Sequence, residues 1–356
     1  MKRFVVILLL VSILLGLSGC KDRFGILQVG SIDLDDTLNC NYNNAIAGNS
    51  KFWIADRSVY YAYNALIYGG YVRSSSDGRE KILSFWEPVA NQIIVRNGDL
   101  FMLDCYGPGI FKLHYYEPTS GTDTSLGMKE GVWSYFPLDE YVYYLLSHHE
   151  DGGRYGQPFG VCSLADGTSK IIEEYVFAAG VMGDSPVYVT EDGGEFEIFA
   201  YQPLSGSKEQ IGSFSFPISE EEGFDYYANF TSSQVIFTVF GEDNAAKLLC
   251  YDVVDHQLSV HQLPGDDAGL VCSVIAYEDY AFAIRESNTT SSNEVYTSTI
   301  YRINLRTGET TTITSVKGSV NSFVTSDEYI YVISDENMKG IYRYDSSGNR
   351  ELAFKL

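Results

Sequence analysis

The sequence predicts an all-β fold, a seven-bladed β-propeller of four-stranded antiparallel blades. Three observations predict it. A turn followed by an aromatic, β-branched strand recurs along the chain. A second turn element falls between its copies. No window of ten or more residues after Cys20 has helical period and caps.

The first element reads Asp56-Arg57-Ser58-Val59-Tyr60-Tyr61, then Asn97-Gly98-Asp99-Leu100-Phe101 and Asp139-Glu140-Tyr141-Val142-Tyr143-Tyr144. It continues as Asp184-Ser185-Pro186-Val187-Tyr188, Ser232-Ser233-Gln234-Val235-Ile236-Phe237, Glu278-Asp279-Tyr280-Ala281-Phe282 and Asp327-Glu328-Tyr329-Ile330-Tyr331-Val332. Equivalent positions are 59, 100, 142, 187, 235, 281 and 330, spaced by 41 to 49 residues. That is the length of a four-stranded blade. The second element is a tight turn: Ser76-Asp77-Gly78, Thr119-Ser120-Gly121, Ala165-Asp166-Gly167, Leu204-Ser205-Gly206, Arg306-Thr307-Gly308 and Ser346-Ser347-Gly348. Asp255-His256 fills the slot in the fifth repeat without glycine. Such turns need φ > 0, which glycine adopts without strain. Each leads into a short strand rich in Ile, Leu and Thr, such as Lys170-Ile171-Ile172. Runs such as Tyr141-Val142-Tyr143-Tyr144-Leu145 argue for strand, and their broad aromatic faces suit blade-on-blade stacking.

The N-terminus has a different character. Lys2 and Arg3 precede an apolar run from Phe4 to Leu17, which ends in Leu17-Ser18-Gly19-Cys20. The run has the length of a signal-peptide core and is short for a membrane span. These twenty residues resemble bacterial lipoprotein signals. The resemblance implies cleavage after Gly19 and a diacylglycerol thioether on Cys20, so that membrane lipid is a partner through the acylated cysteine. The domain organisation is then a signal peptide over 1–19, a lipid-anchored tether and lead-in segment over 20–45, and a propeller over 46–356. The expected location is the extracytoplasmic side of a bacterial membrane. No later segment approaches 18 apolar residues.

The formal charge is −23, and loss of Lys2 and Arg3 makes it −25. Such a surface repels nucleic acid and suits a basic protein or a cation. Beyond Cys20 there are five cysteines, Cys40, Cys105, Cys162, Cys250 and Cys272, with no Cys-x-x-Cys spacing. They read as buried thiols, with one disulfide of undetermined pairing open.

Ile300-Tyr301-Arg302-Ile303-Asn304-Leu305-Arg306-Thr307-Gly308 and Ile341-Tyr342-Arg343-Tyr344-Asp345-Ser346-Ser347-Gly348 resemble a run found in low-density-lipoprotein-receptor-type propellers. They are similar also to bacterial lipoprotein propellers of unknown function. The likeness runs from about residue 50 to the end. The Tyr-Trp-Thr-Asp core of the receptor family is missing, as are the Gly-His and Trp-Asp marks of WD40 blades. Trp53, Trp86 and Trp133 are too few for one docking tryptophan per blade.

Two sets of residues are candidates for ligand binding. Counting eight back from each Val59-type position gives an inner-strand column of Lys51, Gln92, Ser134, Ala179, Tyr227, Ser273 and Ser322, small or polar side chains expected near the channel mouth. The second set sits in the expected loops between second and third strands. It comprises Glu150, Asp151, Glu191, Asp192, Glu242, Asp243, Glu286, Glu294, Asp335 and Glu336. If all blades keep one strand order, these carboxylates share a rim and concentrate cations or basic partners. His148-His149-Glu150-Asp151, followed by Gly152-Gly153, reads as a solvated loop rather than a zinc site. Asp33-Leu34-Asp35-Asp36 lacks the glycine and distal glutamate of an EF-hand loop. No metal or cofactor is therefore expected.

No Gly-x-Ser-x-Gly elbow, His-Glu-x-x-His, P-loop or dinucleotide fingerprint occurs. The primary expectation is a non-enzymatic recognition or scaffold module. The alternative is a hydrolase or lyase acting on an envelope glycan or peptide at the channel mouth, since dispersed carboxylates leave no linear motif.

Overall fold

The computed structural model describes residues 52–55, 57–64, 69–75, 78–85, 92–105, 111–126, 131–147, 149–151, 154–217, 223–224, 228–241, 246–264, 269–287, 297–326, 329–334 and 340–355. All regular structure among them is β. Each sheet is built from one continuous stretch of chain, so the sheets are named here by chain order.

The first sheet holds β1 (Phe52–Ala55), β2 (Ser58–Asn64), β3 (Gly69–Ser75) and β4 (Gly78–Phe85). The second holds β5 (Gln92–Arg96), β6 (Asp99–Cys105), β7 (Phe111–Glu117) and β8 (Thr122–Ser125). The third holds β9 (Val132–Leu138), β10 (Tyr141–Leu146), β11 (His149–Asp151), β12 (Arg154–Ser163) and β13 (Ser169–Val176). The fourth holds β14 (Ala178–Met182), β15 (Ser185–Asp192), β16 (Glu195–Gln202) and β17 (Ser207–Ser215). The fifth holds β18 (Gly223–Phe224), β19 (Asn229–Phe230), β20 (Gln234–Phe240), β21 (Ala246–Asp252) and β22 (Gln257–Gln262). The sixth holds β23 (Gly269–Tyr277), β24 (Tyr280–Ser287), β25 (Thr297–Asn304) and β26 (Thr310–Lys317). The last holds β27 (Val320–Ser326), β28 (Tyr329–Ser334), β29 (Gly340–Tyr344) and β30 (Arg350–Lys355).

This arrangement corrects the expectation of seven four-stranded blades. Only six sheets have an unbroken innermost strand, and the third and fifth carry five strands each. In the fifth, Phe224 pairs with Val239 but Asn229 pairs with Ile236. The register therefore shifts by two residues between β18 and β19.

The core lies between sheets. Distinct apolar layers join the third sheet to the fourth, the fourth to the fifth, the fifth to the sixth and the sixth to the last. A larger layer runs from the last sheet (Val324, Tyr331, Ile341, Ala353) through the first and second to the third. It joins the two ends of the ring by packing; among the described residues, no strand from the N-terminal side pairs with the last sheet. Aromatic stacks carry much of the burial. Phe196 and Phe214 lie 4.7 Å apart at 4°, and Phe214 stacks on Tyr251 of the next sheet at 5.0 Å. Each such ring buries about 150–250 Å², worth roughly 25 cal/mol per Å².

Five outer strands share one irregularity. The ladder skips Ile82 in β4, Ile172 in β13, Ile211 in β17, Ile313 in β26 and Ala353 in β30. Each skipped residue packs into an inter-sheet layer. The bulge therefore bends the edge and supplies the outermost apolar contact of the seam. The first recurrent element also touches the Ile-Tyr-Arg runs of the third strands. Arg302 stacks over Tyr280 with its guanidinium carbon 3.6 Å from the ring centre, and Arg343 lies 4.6 Å over Tyr329.

The outer turns close on a repeated hydrogen-bond pattern. The side chain of Asn304 accepts from the amides of Arg306 and Thr307, and that of Asp345 from those of Ser347 and Asn349. Bonds from the Asn349 side chain and amide hold the Asp345 carboxyl below the usual range. Gly348 completes its turn at φ 79°, and an added Cβ would sit 2.2 Å from the carbonyl oxygen of Ile313 in the preceding sheet. Gly121, at φ 69° in the equivalent turn of the second sheet, has nothing within 4 Å of that position. Gly121→Ala should cost about 1 kcal/mol, the strain of a left-handed residue. Gly348→Ala should cost at least about 2–3 kcal/mol, because it adds a backbone clash at an inter-sheet contact. Urea unfolding of both variants checks this, and equal losses would contradict the turn-on-sheet packing.

Candidate functional site

The inner-strand column is partly assembled by the register. Gln92 pairs with Leu103, Ser134 with Leu145, Ser273 with Ile284 and Ser322 with Ile333, each three residues beyond its Val59-type position. Ala179 does not belong with them, since it pairs with Tyr188. The first turn of the fourth sheet is Gly183-Asp184, not Asp184-Ser185, so Pro186 takes the Val59-type place and Ala178 falls eight residues before it. Ser134 is buried at 3% exposure and Ser273 is half-buried, so Ser134 serves the interior rather than an open channel wall. Lys51 and Tyr227 lie outside the described residues, as does Cys20.

Of the carboxylate set, Glu191 and Asp192 end β15, where Asp192 pairs with Glu195 across Gly193-Gly194. Both glycines have positive φ, as a two-residue turn of this kind requires. Glu191 accepts a 2.8 Å hydrogen bond from the Gly194 amide, and Glu195 accepts from the Ser215 hydroxyl at 2.6 Å. Two carboxylates of this hairpin therefore have structural partners. The His149–Asp151 stretch is a correction: it forms β11, with Glu150 opposite Tyr155 and Asp151 opposite Arg154, rather than a loop. The pairing continues the hairpin between the second and third strands as far as Asp151 and Arg154. Glu286 lies in β24 opposite Ser298. Glu242, Asp243, Glu294, Asp335 and Glu336 lie outside the described residues.

Asn229 is an inner-strand polar group that the sequence reading missed. It is 1% exposed, donates to the Val274 carbonyl at 3.1 Å and accepts from the Ala276 amide at 2.9 Å. It ties the broken inner strand of the fifth sheet to its neighbour. An asparagine between Ala228 and Phe230 was the available signal. The Tyr135 hydroxyl makes a comparable buried bond to the Phe101 carbonyl at 2.8 Å.

Chemically, these groups hold structure. Among the described residues no group of three or more His, Cys, Asp or Glu side chains is placed to hold a metal. Burial pushes the Cys250 thiol up to about 12, and burial with the nearby Asp166 charge raises Cys162. Neither is a thiolate nucleophile at neutral pH.

Similar solved structures share this architecture. The β-propeller domain of the trilobed protease from Pyrococcus furiosus, described as having an open velcro topology, is 12% identical with a TM-score of 0.57; the match covers 86% of this chain and 95% of that one. The acylaminoacyl peptidase of Pyrococcus horikoshii is also 12% identical, with a TM-score of 0.55 over 89% of this chain and 53% of that one. This chain thus spans about half the length of that peptidase. The N-terminal domain of Nup159 is 10% identical with a TM-score of 0.51, over 89% of this chain and 94% of that one. The fold is a β-propeller. At these identities the likeness is one of fold alone. No protein-family model matches the chain, and a search of curated proteins finds none that matches.

The buried thiols give a direct check. In a Cys40→Ser/Cys105→Ser/Cys272→Ser background, a thiol reagent at neutral pH should leave Cys162 and Cys250 unlabelled until denaturant is added. Rapid labelling of either in the folded protein would contradict its burial.

Proposed function

We propose that the chain is an exported lipoprotein, held at a membrane by acylated Cys20, whose propeller recognises a ligand or protein and carries out no catalysis. The observation that carries this reading is the Leu17-Ser18-Gly19-Cys20 junction upstream of a propeller in which Glu191 and Asn229 are engaged in a turn and an inter-sheet bond. Two or more acyl chains, at roughly 0.8 kcal/mol per buried methylene, suffice for stable anchoring of a folded domain. The peptidases among the similar structures carry nearly as much chain again outside the matched part, and 12% identity is too low to transfer their activity. The recognised surface, on this reading, is the hairpin rim containing Glu150, Asp151, Glu191 and Asp192, and its partner is a basic protein or a cation.

Thioether formation needs the sulfur of Cys20. Cys20→Ser should move the protein from the detergent phase to the aqueous phase, or leave an unprocessed precursor. Partition like that of the unmodified chain would remove the anchor from the account.

The rim is tested with a Lys/Arg-rich peptide and with Ca²⁺, each at low and high salt. Binding should fall as salt rises, because exposed charges are screened over about 8 Å at physiological ionic strength. Glu191→Gln/Asp192→Asn/Glu242→Gln/Asp243→Asn should weaken it several-fold at low salt. The Gln at 191 keeps the acceptor for the Gly194 amide, so the hairpin survives. An unchanged response to both ligands would exclude the rim as the binding surface.

A further inference from the structure

We draw no further inference here: the strongest candidate, the outer wall of the third to fifth sheets, where Ile171, Leu204, Val254 and Val260 are exposed on the outer strands or the turns leading into them, carries nothing because nothing in the structure shows what covers it.

Discussion

A twisted sheet with two apolar faces must cover both, and here each sheet is covered by its neighbours. This constraint governs the rest of the structure. It explains why large aromatic side chains dominate the interior: Tyr143, Tyr188, Phe196, Phe237 and Phe282 are each less than 2% exposed and sit between sheets rather than in a single central core. It also explains why the last sheet meets the first. Val324, Tyr331, Ile341 and Ala353 belong to the same layer as Phe52, Ile54 and Val59. A stack left open there would expose that layer to water.

Closure by packing places demands on edges and turns. The skipped residue in five outer strands turns an edge irregularity into an apolar contact, so one feature both fills the seam and spoils the edge for foreign strands. The fifth sheet departs from this at both of its ends. Its inner strand is broken, and Asn229 replaces ladder contacts with a two-point bond to the sixth sheet. Its outer strand has no bulge, and His261 there makes a 2.9 Å contact with the Leu305 carbonyl of the next sheet. Its last turn contains His256 at φ 52° where other sheets use glycine.

Much of the fold was legible because turns have strict conformational needs. Asn97-Gly98 and the turns ending in Gly121, Gly167, Gly206, Gly308 and Gly348 all adopt the positive φ that their residues imply. The Tyr of the first recurrent element and the Arg of the Ile-Tyr-Arg runs were visible as patterns, though not as a stacked pair. Gly183-Asp184-Ser185 was ambiguous, because either dipeptide makes an acceptable two-residue turn, and the wrong choice displaced the fourth inner strand by one residue. The two-residue register shift between β18 and β19 leaves the spacing of the Val59-type positions within the range of the other sheets. Bulges were invisible for a similar reason: whether Ile313 lies in the ladder or beside it depends on the sheet it packs against. The candidate site was less legible still. Acidic residues at hairpin tips look alike in sequence whether free, like a solvated rim, or bonded, like Glu191 to the Gly194 amide.

The central claim is that the ring has no free end, because the first and last sheets are joined by an apolar layer. Native-state hydrogen exchange followed by mass spectrometry tests it most directly. Peptides covering β1 and β27–β28 should be protected to the same extent as those covering β15 and β24, since all four regions then open only with the global unfolding of the ring. Exchange in β1 and β27–β28 faster by orders of magnitude, with β15 and β24 still protected, would show fraying ends and contradict closure.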